Sequence, residues 1–286
     1  MKTAALVLAV MALASASVIE FSHVKRVEDL DIFWEQLDPQ LQALRPTPNQ
    51  RFVNDHEAQP NQFPYQALVL SFFVDDNSGL CGGTVLTPNF VLTAAHCVQI
   101  GTVATHGTVV LGAHNRQVVE ATQQRYSFDQ INVHPSYIAS LLRNDIATVR
   151  LSAPAVFNAF VQPIDIPAVS DTRTFAGLTD IISGFGCTSD EDGSPASDVV
   201  MFSSNPILTN ADCVVSWNSI MVGEPNICLS GAGGPLAVQD NGRSLQVGIA
   251  SFVHATGCAS GMPSGFVRVS HYLQWIAENS DVVLGN

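Results

Sequence analysis

Apolar residues in this chain come in blocks too short to be helices, and turn residues separate the blocks. Runs at 67–73, 90–93, 107–111, 146–151 and 179–183 carry this pattern of strands and turns. The strongest turn signal is Asn241-Gly242, flanked by strand-like runs at 235–239 and 244–252. A type I′ hairpin needs positive φ at both central positions, and Asn followed by Gly tolerates that with the least strain. Near 270–278, Tyr272, Leu273, Trp275 and Ile276 supply one apolar face and Ser270 an N-cap, which predicts a closing helix. The expected fold class is all-β with a C-terminal helix.

The first residues read as a secretory signal. Met1-Lys2 is a short basic start, 4–13 an apolar run, and Ala14-Ser15-Ala16 a small-residue cleavage site. The apolar run is too short to span a bilayer and no later run reaches membrane length, so a secreted, extracellular product is expected at 17–286. In 17–51, Leu30, Phe33, Trp34, Leu37, Leu41 and Leu44 recur at helical spacing with acids between them, predicting an amphipathic helix that packs on something else. Pro46, Pro48 and Asn49 then break the pattern before Arg51.

Several motifs in fixed order carry chemistry. Leu92-Thr93-Ala94-Ala95-His96-Cys97 is followed by Asn144-Asp145-Ile146-Ala147 and then by Ser230-Gly231-Ala232-Gly233-Gly234-Pro235. A carboxylate facing one nitrogen of a histidine fixes its tautomer and leaves the other nitrogen free as a base. A lone histidine is more often structural; the flanking context reverses that expectation here. Cys81-Gly82-Gly83-Thr84, Ser251-Phe252 and the run from Pro263 to Val269 complete the set.

Together these segments resemble the trypsin/chymotrypsin family of secreted serine endopeptidases, of the chymotrypsin-like or brachyurin type. The resemblance implies two packed antiparallel six-stranded β-barrels for 52–286, a signal peptide at 1–16 and a propeptide at 17–51 removed by an activating protease that cuts between Arg51 and Phe52. It implies His96 as general base and Asp145 as its orienting partner. Ser251, Phe252 and Val253 would form the substrate edge and Ser264 a pocket wall. It pairs Cys81 with Cys97 and Cys213 with Cys228. Protein or peptide substrates and inhibitors are the implied partners, on a monomer.

The nucleophile is where the chain departs from its family. In Gly-Asp-Ser-Gly-Gly-Pro the serine precedes the paired glycines; Ala232 stands there in the ungapped register. The stretch from Cys228 to Gly233 is also shorter than the family's by roughly ten residues. Loss of a block accounts for the short spacing, the absent serine and the unpartnered Cys258 together, whereas replacement of one serine accounts for a single one of them. The same block would carry oxyanion donors, the pocket floor and the aspartate that receives the new N-terminus. An even cysteine count invites a bridge between Cys187 and Cys258, but nothing in the sequence brings them within bonding reach.

From Phe52 onward 7 Arg, no Lys and 19 acids give a net of −12. Such a surface argues against nucleic-acid and anionic-membrane partners, and offers trypsin-like proteases few sites; it serves solubility equally well. No metal or cofactor is expected, since the eight histidines include no His-Glu-x-x-His and the cysteines no paired knuckle. Three readings follow: an endopeptidase whose serine-bearing segment is absent from this chain and which is inactive as written; a non-catalytic pseudo-protease that binds or decoys; and a product whose second barrel folds poorly.

Overall fold

The computed structural model describes residues 24–43, 45, 56–74, 77–186, 197–217, 221–229, 234–252 and 263–286. The expected signal peptide, the cut at Arg51 and Phe52, Leu44, Cys187, Ser230, Ala232, Val253 and Cys258 lie outside these residues. The N-terminal segment makes two short helices, α1 (Asp31–Glu35) and α2 (Pro39–Gln42), where the apolar spacing predicted one. The break falls where Asp38 caps a new helix: its Oδ1 accepts from Gln40 N at 2.9 Å, with Pro39 at the first helical position. Beyond it β1 (His56–Glu57) begins the strands.

The first sheet is built from β2 (Gln66–Phe72), β3 (Ser78–Val85) and β4 (Phe90–Thr93), followed, after the small ribbon β5 (Gln99–Ile100) and β6 (Thr102–Val103), by β7 (His106–Leu111), β8 (Gln124–Phe128), β9 (Gln130–Val133) and β10 (Ala147–Arg150). Its order is β8-β7-β2-β3-β4-β10-β9, all antiparallel. β8 and β9 form the two edges, yet only Asp129 separates them in the chain, so one kinked strand pairs with both ends of the sheet. The seven strands therefore close into a six-stranded barrel. β2 is paired along its length by β3 on one side and β7 on the other, and its run Gln66 to Ser71 is buried throughout.

The second sheet follows the same rule. It contains β11 (Asp180–Gly184), β12 (Met201–Ser203), β13 (Ile207–Leu208), β14 (Asn226–Leu229), β15 (Leu236–Asp240), β16 (Arg243–Phe252) and β17 (Ser264–Arg268). The order is β1-β12-β11-β15-β16-β17-β14-β13. Residues 204–206 alone separate β12 from β13, which again makes one broken strand closing a six-stranded barrel, with β1 added outside. The turn of β15 and β16 is the one predicted, with φ of 51° at Asn241 and 78° at Gly242.

Two helices complete the fold. α3 (Asn210–Trp217), a helix that the apolar spacing did not predict, packs Cys213 and Trp217 inward. α4 (Leu273–Glu278) closes the described chain on Leu273 and Ile276. Ser270 is not its cap: it lies in a preceding 3-10 turn, and the N-cap is Tyr272, with no side-chain cap bond. None of the described helices is long and apolar enough to cross a membrane.

The seam between the barrels is polar and satisfied. Thr84 Oγ1 donates to Gln246 Oε1 at 2.7 Å, and Ser183 Oγ to Gln66 Oε1 at 2.9 Å. All four side chains are buried, so each bond exists in low dielectric, where leaving either partner alone would cost about 1–3 kcal/mol. This fixes the relative placement of the two walls that hold the site.

Candidate active site

His96 lies in the 3-10 turn Ala95–Cys97 that ends β4. That turn is tied to β3 by the Cys81–Cys97 disulfide. The other predicted bridge, Cys213–Cys228, fastens α3 to β14. Asp145 stands just before β10, which pairs with β4 and so brings the two residues together across 49 positions of sequence. The bend that delivers it uses two residues of positive φ, Leu142 at 48° and Asn144 at 52°, and Tyr272 Oη donates to Asn144 Oδ1 at 2.7 Å to hold it.

Asp145 is fully buried and accepts three hydrogen bonds. His96 N–H reaches Oδ1 at 2.9 Å, His96 Nδ1 lies 2.8 Å from Oδ2, and Ser251 Oγ donates to Oδ2 at 2.6 Å. A carboxylate only accepts, so Nδ1 carries its proton and the ring is oriented with Nε2 pointing away. Ser251 comes from the end of β16, in the second barrel. The carboxylate thus receives donors from both barrels.

The far nitrogen is occupied. His96 Nε2 lies 3.4 Å from Glu28 Oε1, a residue of the N-terminal segment, and the Phe33 ring sits 5.5 Å from the imidazole. Burial alone would push the His96 pKa down, but the charge and hydrogen bond of Asp145, joined by those of Glu28, overcome it and carry it up to about 10. Glu28 is displaced oppositely: burial raises its pKa, and the hydrogen bond and charge of His96, with Arg26, bring it below the ordinary carboxylate range. Asp145 keeps 0% of its side-chain surface and Glu28 40%, so solvent screens the second pair more strongly.

Two of the remaining predicted residues, Phe252 and Ser264, take definite places. The Phe252 ring meets Trp217 edge-on at 4.7 Å, and Trp217 Nε1 donates to Pro263 O at 2.6 Å. Ser264 is buried at the start of β17, paired with Leu229. Val253, Arg51, Phe52 and Ala232 fall outside the described residues. The sulfurs of Cys81 and Cys97 and a His96 nitrogen lie within 4.8 Å of one another, but the sulfurs are bonded to each other, so the group offers a metal no thiolate.

Residues 52–276 match the family model described as Trypsin. The chain belongs to the trypsin family. Among its relatives, brachyurin from Leptuca pugilator is 36% identical over 238 residues, covering 80% of this chain and 99% of that protein. Chymotrypsin from Phaedon cochleariae is 32% identical over 291 residues, covering 98% of this chain and 99% of that one. In structure, HL collagenase superposes with a TM-score of 0.71 at 27% identity, covering 82% of this chain and all of the other. The two barrels are therefore those of a chymotrypsin-like serine protease homologue, a family that acts on protein substrates.

Sequence reasoning missed Glu28. It lies between Val27 and Asp29 in a stretch read only for its apolar spacing, and an acid there is an ordinary solvated residue until a partner from elsewhere meets it.

Proposed function

We propose that this chain is a secreted, chymotrypsin-like member of the family that retains the base pair of a digestive endopeptidase and lacks the nucleophile. The observations that support this reading are the pairing of Asp145 with His96 at 2.8 Å and, in the sequence, a stretch from Leu229 to Leu236 whose only hydroxyl is Ser230. His96 and Asp145 are the proposed base and its orienter. Ser251, Phe252, Val253 and Ser264 are the proposed lining of a peptide-binding edge. A base with nothing to deprotonate forms no acyl-enzyme.

The proposed processing is removal of 1–16, then cleavage between Arg51 and Phe52. The family match begins at Phe52, which supports that boundary. Loss of a block from the loop, rather than change of one serine, is the proposed cause of inactivity. Mature protein should not be labelled by a fluorophosphonate probe, and Ala232→Ser alone should restore no peptide hydrolysis. Loss of oxyanion donors alone costs on the order of 10²–10³ in rate. Insertion of a segment ending in Gly-Asp-Ser between Ala232 and Gly233 should restore hydrolysis dependent on His96. Hydrolysis by the single Ala232→Ser variant would overturn the block-loss account.

A second reading, a pseudo-protease that binds peptides without cutting them, draws on the same cleft. It is favoured over a poorly folding product because both barrels close among the described residues.

A further inference from the structure

The segment before the proposed cleavage site is folded onto the cleft. Leu80 N donates to Lys25 O at 2.9 Å, and Arg26 forms a parallel bridge with Leu80, so the segment begins as an extra edge on β3. Val27 is wholly buried over Gly79, where a Cβ would stand 2.4 Å from Val27 Cγ2. Trp34 Nε1 donates to Glu28 O at 2.8 Å, which holds the backbone that presents the Glu28 carboxylate to His96. Phe33, Trp34, Leu37 and Leu41 are buried in one cluster with Cys81, Cys97 and Leu142. Further along, Asp38 N donates to Ser140 O at 2.8 Å and Gly101 N to Gln36 Oε1 at 3.1 Å. These contacts reach the His96 turn, the β5–β6 ribbon and the loop before Asp145.

We infer that residues 24–43 are a built-in occupant of the cleft, with the Glu28 carboxylate engaging the His96 nitrogen that would otherwise serve as base and Phe33 covering the ring. The inference rests on the reading of His96 and Asp145 as the base pair, and adds to it a reversible block. A histidine held between two carboxylates stays an imidazolium through the neutral range and takes up no further proton. The raised His96 pKa and lowered Glu28 pKa agree with that geometry.

The block is attached by backbone alone. The first cysteine of the chain is Cys81, so no disulfide joins residues 1–51 to the barrels. Cleavage after Arg51 leaves the segment held by its noncovalent contacts, and unblocking His96 then takes two events, the cut and the dissociation. In this respect the segment is a ligand, and its peptide should rebind in trans.

Diethyl pyrocarbonate, which acylates neutral imidazole, tests this without any need for hydrolysis, so its failure is separable from failure of the functional reading. In the uncut chain at neutral pH, His96 should react more than about tenfold more slowly than exposed His56 and His106, mapped by peptide mass. In chain cut to the Phe52 N-terminus and freed of the segment, His96 should react about tenfold faster or more than in the uncut chain, and a synthetic 17–51 peptide should reverse the increase. Glu28→Gln in the uncut chain should raise His96 reactivity by removing the second carboxylate. Gly79→Ala, which crowds Val27 and leaves the site residues untouched, should raise it as well by displacing the segment. Equal reactivity of His96 and His56 in the uncut chain would overturn the inference. So would protection left unchanged by removal of the segment, or altered by neither variant.

Discussion

The two nitrogens of the His96 ring face parts of the molecule built in opposite ways. On the Nδ1 side stands Asp145, fully buried, bonded also to Ser251 of the second barrel, and delivered by β10 where it pairs with β4 in the first. On the Nε2 side stands Glu28, partly exposed, at a longer 3.4 Å, on a segment with no covalent tie beyond the backbone. The same kind of group performs both contacts. What differs is permanence: the first contact belongs to the fold, while the second ends when the segment leaves.

Substitutions on one side of the ring should leave the other side intact. Asp145→Ala should have the largest effect, because it strips three donors of their acceptor in the interior; removing one partner of a buried pair costs about 3–5 kcal/mol. Urea unfolding should show that loss in the intact chain and in the cut, segment-free protein alike. Phe33→Ala should cost about 3 kcal/mol by removing a buried ring from its cluster. That loss should appear in the intact chain alone; an equal loss in the segment-free protein would mean that the segment does not leave after the cut.

Asp180 provides a control distant from the segment. It is fully buried on β11, Asn205 N–H donates to its Oδ1 at 2.5 Å, and its Oδ2 has no partner among the described residues. Burial pushes its pKa up to about 7 against the opposing Asn205 bond. A carboxyl with a raised folded pKa stabilises most below its ordinary value of 3.8 and loses that contribution as pH rises toward about 7. The slope should be at most about 1.4 kcal/mol per pH unit. Asp180→Asn should abolish it equally in intact and segment-free protein, measured by urea unfolding from pH 4 to 8. The smallest effect is expected from Arg45→Ala, which breaks the solvent-exposed contact to Asp31 at 2.6 Å; the unfolding midpoint should not move measurably.

Much of the site was legible because its signals are local. His96 with Cys97 beside it, Asp145 after Asn144, and the Asn241-Gly242 turn each announce themselves within a few residues, and the strand at 90–93 coincides with β4. What escaped depends on partners distant in sequence. Ser251 was read as part of the substrate edge, and its bond to Asp145 spans 106 positions. Gln66 and Gln246 have the composition of surface residues, yet both are buried because Ser183 and Thr84 satisfy them across the seam. Glu28 is the extreme case, since its meaning resides entirely in His96, 68 positions away. The single helix expected at 30–44 failed for a local reason that spacing alone conceals: Asp38-Pro39 starts a new helix while the apolar period continues through it.

The most direct test is the titration of the His96 ring by nitrogen NMR in histidine-labelled intact chain and in cut, segment-free protein. With both carboxylates in place, the midpoint should lie far above the ordinary 6.5, toward about 10, with Nδ1 protonated throughout. After the segment leaves, Asp145 should keep the Nδ1 proton in place, while the midpoint falls by about one pH unit or more as the second charge departs. A midpoint near 6.5 in the intact chain, or one that does not change on removal of the segment, would contradict the account of a ring held between a permanent and a removable carboxylate.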